Sequence, residues 1–88
     1  MNPFRRADNV VVEVAEGKAY LVDVRREELI TLNPVGTVVW EALDGKRAAA
    51  DLADDLVGQF EDVSRGQLEN DIRDFLAELH RLGLVMEG

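Results

Sequence analysis

Side chains able to carry chemistry are sparse in this sequence, and their types suit holding a ligand better than transforming one. Cysteine is absent, so there is no thiol nucleophile, thiolate metal site or disulfide framework. The one histidine, His80, stands beside Glu78 and Arg81 near a predicted helix end. No serine pairs with it at a spacing that would make a nucleophile and its base, so it reads as a solvated surface residue. Asp51, Asp54, Asp55 and Asp62 could attract a hard cation, but they lack the D-x-D-x-D-G loop that converges oxygens on calcium. A solvated acidic helix face is the reading they support. With no glycine-rich phosphate loop either, the sequence offers no catalytic residue, no metal site and no cofactor site. What it does offer is Asp71, Asp74, Phe75 and Glu78 at helical spacing, which puts carboxylates around a large aromatic on one face.

Charge narrows the partners. Ten basic against eighteen acidic side chains leave a net charge of −8, a field that repels phosphate backbones and anionic lipid. Nucleic acid and membrane surfaces are therefore disfavoured. Eighty-eight residues are enough for one small domain, 1–88, and too few for a deep enzyme pocket. The start, MNPFRRADN, has two arginines but no following apolar run fit for a secretory signal, and no stretch is long enough to span a bilayer. These features lead us to expect a cytoplasmic protein.

The elements that must position the acidic face are punctuated by local signals. Residues 1–9 read as a loosely held, flexible arm. VVVEV (10–14) and AYLVDV (19–24) are β-branched runs separated by the turn residues Ala15-Glu16-Gly17-Lys18, and a third short strand, 29–32, follows the charged turn Arg25-Arg26-Glu27-Glu28. The alternation in 19–24 is imperfect and leaves its buried face open. The chain then changes character at Asn33-Pro34. Asn33 can cap a helix, Pro34 suits its first position and Gly45 supplies a left-handed stop. Within that helix Gly36 marks close approach of another element, and Trp40 a core anchor. A second helix, 48–60, lacks a capping side chain but has Asp51 in its first turn, and Gly58 weakens its end. The third has the clearest start: Ser64 and Gln67 match a capping box, with Val63 and Leu68 placed as a hydrophobic staple. It runs to Leu82, with His80 and Arg81 favourable in its last turn, Gly83 as its stop and Leu84 folding back; 84–86 reads as a short extended tail.

Such a chain has one surface suited to a peptide. As the last strand of an antiparallel meander, 29–32 is expected to have an unpaired edge, and an edge strand can accept another. If the face Asp71, Asp74, Phe75 and Glu78 lies alongside it, the groove has backbone hydrogen bonds on one wall and apolar and acidic side chains on the other. This is peptide recognition by strand addition.

The order strand, strand, strand, then LN-P-x-G-x-x-x-W-x-x-L-D-G (Leu32 to Gly45), an alanine- and leucine-rich helix ending in Phe60, and D-x-x-x-F-L-x-x-L-x-x-x-G-L (Asp71 to Leu84) resembles the PqqD-like family. Its members are recognition elements for precursors of ribosomally made, modified peptides. The resemblance covers the chain from about Val10, departing at Ala48, where the family often has a threonine cap. It implies an α+β fold, a winged helix-turn-helix with an N-terminal three-stranded antiparallel sheet followed by three helices. It also implies that a precursor's leader adds to the third strand in the groove toward the third helix. By resemblance Glu28, Leu29, Ile30, Thr31 and Leu32 form the strand wall, and Asp71, Asp74, Phe75 and Glu78 the helix wall. Asp71 matches the family's helix aspartate, and the other helix assignments rest on wheel geometry. The implied function is non-catalytic: leader binding and delivery to a maturation enzyme, with no cofactor. The pattern is most similar to the leader-binding half of split lasso-peptide systems, whose partner is a separate cysteine protease. Two alternatives stay open, a chaperone presenting the precursor of pyrroloquinoline quinone to a radical enzyme, and a winged-helix DNA-binding regulator. Against the last, Arg65, Arg73 and Arg81 on the third helix are outweighed by Glu69, Asp71, Asp74 and Glu78.

Overall fold

The computed structural model describes residues 3–87. The chain runs β1 (Phe4–Arg6), β2 (Val10–Ala15), β3 (Lys18–Asp23), β4 (Glu28–Thr31), α1 (Pro34–Ala42), α2 (Ala49–Leu56), a 3₁₀ turn (Val57–Gln59), α3 (Arg65–Arg81) and β5 (Val85–Glu87). It is an α+β fold with two antiparallel sheets and three α-helices. One sheet is the expected meander, in the order β2-β3-β4, and the other pairs β1 with β5.

The meander follows from its turns. Glu16 and Gly17 both take positive φ, 55° and 78°, the two-residue hairpin turn whose twist matches its flanking strands. Between β3 and β4 the Asp23 carboxylate starts the turn by accepting from Arg25 N–H at 3.0 Å, and Asn9 Nδ2 donates to the same oxygen at 3.0 Å. Asp23 is buried with Ala19 and Leu21, which settles the face left open by the alternation. The opposite face carries Val11, Val22 and Leu29 in one cross-strand row.

The helices begin where the sequence signals put them. Asn33 Oδ1 accepts from Gly36 N–H at 2.7 Å, and Ser64 Oγ from Gln67 N–H at 3.1 Å. At the end of α3, Leu84 N–H reaches Leu79 O and Gly83 N–H reaches His80 O, with Gly83 at φ 78°, the glycine stop expected there. Asp51 substitutes for a missing cap on α2 by accepting from Ala48 N–H at 3.1 Å.

Three expectations need correction. The arm is in part a strand: Phe4, 5% exposed, is in the core, and Arg6 pairs with Val85 across the sheet, so β1 precedes the three-stranded sheet. Of that arm, Met1 and Asn2 lie outside the described residues. Gly45 does not stop α1, which ends at Ala42 with Leu43 already extended. Its φ of 74° serves the next turn, where its N–H donates to Phe4 O and a Cβ would lie 3.2 Å from Arg5 Cβ. The last carbonyls of α1 are met by arginines instead: Arg6 donates to Trp40 O and Glu41 O, and Arg47 to Ala42 O at 2.6 Å. Finally α2 stops at Leu56, and the 3₁₀ turn lets Phe60 leave in extended conformation and pack against the core.

The core gathers around Trp40, 1% exposed, with Leu21, Leu52, Leu68, Ile72, Leu76, Leu79 and Leu84. What ties sheet to helix is polar. Ala19 N–H donates to the buried Thr37 Oγ1 at 2.8 Å, and Ala19 O accepts from Leu32 N–H at 2.8 Å. Thr37→Val should leave the Ala19 N–H buried without an acceptor and destabilise the fold by about 1–3 kcal/mol. Thr37→Ser should recover most of that loss; urea unfolding that finds the valine variant as stable as the wild type would remove this tie.

The Asp23 carboxyl is held below its ordinary 3.8, first by the Asn9 hydrogen bond and then by the N–H groups of the turn. A depressed carboxylate contributes stability above the unfolded value, and that contribution is lost as pH falls through the folded one. The stability gap between wild type and Asn9→Ala should therefore be full at pH 7 and shrink below about pH 4. Unfolding curves giving the same gap at pH 7 and pH 3 would contradict this.

Candidate functional site

A three-stranded sheet in the order β2-β3-β4 leaves β4 at its border, and among the described residues no strand pairs with its outer side. Antiparallel ladders alternate, so the pairing of Leu32 N–H with Ala19 O sets which groups face inward. Ile30 and Glu28 share the parity of Leu32 and face β3. Leu29 and Thr31, opposite Val22 and Tyr20, turn their N–H and C=O groups to the open edge. Two residues of β4 thus offer main-chain hydrogen bonds to an incoming strand. Leu32 offers none from its N–H, and its side chain is buried.

Asn33, two residues after Thr31, is the first residue of a cleft of about 200 Å³, and none of Glu28, Leu29, Ile30, Thr31 and Leu32, expected as its strand wall, lines it. Asn33, Val35, Gly36 and Val39 from the start of α1 form one wall, and Asp71, Ile72 and Phe75 of α3 the other. Val39 and Ile72 are buried at its base, Phe75 is half-buried and Asp71 is exposed. The close approach expected at Gly36 is made by Phe75, whose Cε1 would lie 3.2 Å from a Cβ on the glycine. The site is apolar inside, with one carboxylate at its rim.

The helix residues singled out from the sequence separate into two groups. Asp71 and Phe75 line the cleft, whereas Asp74 and Glu78 are exposed on α3 and do not line it. Glu78 is engaged by Arg81, whose Nε donates to Oε2 at 3.0 Å and whose Nη2 reaches Oε1. That guanidinium holds the Glu78 carboxyl below its ordinary value. Among the described residues, Asp71 and Asp74 have no ion-pair partner, so the uncompensated charge of this face is next to the cleft. Val35, Val39 and Ile72 join the cleft without a site signal of their own in the sequence; the i, i+4 spacing of the two valines says only that they share a helix face.

The other polar clusters are structural. Arg65 bridges α2 to α3 through Asp54 at 2.5 Å and through Glu69, and Arg73 reaches the same Glu69. All three α3 arginines are thus held by carboxylates. His80 packs its ring 5.3 Å from that of Phe4. Among the described residues, no group of three or more His, Cys, Asp or Glu side chains could hold a metal ion, and no helix is long and apolar enough to cross a membrane.

Comparison with known proteins bears on this geometry. A family model, coenzyme PQQ synthesis protein D (PqqD), matches residues 18–85, from β3 to β5. Among solved structures, "TbiB1 in Complex with the TbiA(beta) Leader Peptide" superposes with a TM-score of 0.83 at 24% identity, covering 96% of each chain. "Lasso peptide synthetase B1 complexed with the leader peptide" gives 0.81 at 26% identity, covering 94% of this chain and 96% of that one. No curated protein sequence matches.

Proposed function

This chain belongs to the PqqD family, and we propose that it binds the leader segment of a precursor peptide as a strand added to β4. The observation that carries the reading is an open β4 edge followed, two residues on in the chain, by the cleft. Leu29 and Thr31 supply main-chain pairing, the cleft takes an apolar leader side chain against Phe75, and Asp71 attracts a basic or hydroxyl-bearing neighbour. The cleft is smaller than the roughly 300–1,000 Å³ of ordinary small-molecule sites, which suits one side chain. Two similar structures whose names describe leader-peptide complexes support the same reading.

On this reading the chain, a single PqqD-like domain with a winged helix-turn-helix arrangement, catalyses nothing. It works in the cytoplasm, raising the effective concentration of a leader beside a separate maturation enzyme, a cysteine protease of a lasso-peptide system. Glu28, Ile30 and Leu32 shape and support the strand wall, while Asp74 and Glu78 add to its acidic surroundings. The family description favours a second reading, presentation of the pyrroloquinoline quinone precursor to a radical enzyme. A DNA-reading role for α3 is disfavoured because its arginines are already neutralised.

The direct experiment is titration of the isotope-labelled protein with the N-terminal segment encoded by whichever short reading frame lies beside its gene. Saturable amide shifts confined to 29–33 and 71–75 are expected; a folded protein with no saturable response would remove the reading. Phe75→Ala and Asp71→Lys should each weaken binding by about tenfold or more, equivalent to about 1.4 kcal/mol. Proline at Thr31 should abolish binding by removing an edge donor, with circular dichroism confirming that the fold survives.

A further inference from the structure

We infer that Gly36 sets the depth of the cleft, and with it the size of the leader side chain the protein accepts; this rests on the peptide-binding reading above. Gly36 sits in the first turn of α1, where glycine is a poor helix former. Backbone conformation does not demand it, because the positive-φ glycines of the described chain are Gly17, Gly45 and Gly83. Space does. A Cβ at this position would meet Asn33 Oδ1 at 3.2 Å and Phe75 at 3.2 Å from Cε1 and 3.4 Å from Cζ. At Gly58 and Gly66, by contrast, a Cβ would meet nothing within 4 Å.

Which neighbour yields to an added methyl decides the consequence. Asn33 is committed, because the same Oδ1 caps α1 by accepting from Gly36 N–H at 2.7 Å. Phe75 is half-buried and lines the cleft opposite Gly36, so its ring is the group able to shift, and an added methyl takes up space between the two walls. The missing side chain at position 36 therefore leaves that space to the cleft. A cavity of about 150 Å³ lined by apolar side chains takes a benzene molecule. The cleft here, about 200 Å³, has room for one side chain of leucine to phenylalanine size. The leader class that fits has one such anchor just beyond its paired strand, with a basic residue near Asp71.

A random dodecapeptide library displayed on phage and panned against the whole chain tests this. The wild type should enrich peptides with Leu, Ile, Met or Phe at one position beside Lys or Arg. Against the best of these, Gly36→Ala, with its fold confirmed by circular dichroism, should bind about tenfold more weakly. Changing the peptide anchor to Ala should weaken binding to the wild type far more than to Gly36→Ala, a coupling that a purely structural role for Gly36 would not produce. If Gly36→Ala does not fold, the wild type titrated with peptides whose anchor runs from Ala through Leu and Phe to Trp reads the same limit directly: affinity should fall once the anchor outgrows the cleft, and equal affinity across the series would overturn the size limit. Equal affinity and equal anchor preference with and without the methyl would overturn the role of Gly36 while leaving the peptide reading intact. A wild type that enriches no peptide would overturn both.

Discussion

The backbone of Ala19 is the point on which the rest of the arrangement depends. Its carbonyl closes the β3–β4 ladder through Leu32 N–H, and its N–H, which would otherwise face the same strand, is taken by the Thr37 hydroxyl from the second turn of α1. One residue therefore belongs to the sheet and to the sheet–helix joint at once. Both bonds are buried, and a buried N–H or C=O left without a partner is expensive, so alternative placements of α1 over the sheet are disfavoured. This placement turns the chain sharply after β4. It puts the first turn of α1, with Asn33, Val35 and Gly36, beside the end of an open strand edge.

The second wall of the cleft is held by a different kind of force. α3 packs Leu68, Ile72, Leu76 and Leu79 into the core, a stripe that leaves Asp71 and Phe75 on its flank. Arginines then lock the helices to one another. Arg65 reaches Ala50 O, Asp54 and Glu69 between α2 and α3, and Arg47 reaches Ala42 O, Asp44 and Asp55 between the end of α1 and α2. In a chain so acidic, this use of its cations has an electrostatic result. Arg47 and Arg65 serve helix joints and Arg73 and Arg81 pair with carboxylates of α3 itself, while Asp71 beside the cleft has no such partner among the described residues.

The chain ends are organised by the same economy. β1 pairs with β5, Ala7 N–H donates to Leu84 O, and Arg6 caps the C-terminal carbonyls of α1 while its guanidinium lies 5.5 Å from the Trp40 ring centre. Arg6 of β1 thereby lies over the large core side chain. The cleft lies elsewhere, between the starts of α1 and the middle of α3, so closure at one end leaves the other open.

Elements governed by contacts within a few residues were legible in the sequence. Asn33-Pro34 and Ser64-x-x-Gln67 began helices because a side-chain oxygen three residues upstream meets an orphan N–H, and Gly83 ended one because it alone takes positive φ there without strain. The three strands of the meander and the apolar stripes of the helices were equally local, as was the family pattern that spans them. β1 was not, because Phe4–Arg6 has no alternation of its own and becomes a strand only by pairing with residues at the far end of the chain. Asp71 and Phe75 were identified from helical spacing, but the same spacing equally included Glu78, which the structure gives to Arg81, and it could not reveal Val35 and Val39 as their partners across the cleft. Periodicity says which side chains share a face of one helix. Which faces meet across a gap, and how wide that gap stays, was decided only when Thr37 docked α1 on β3 and Gly36 admitted the ring of Phe75.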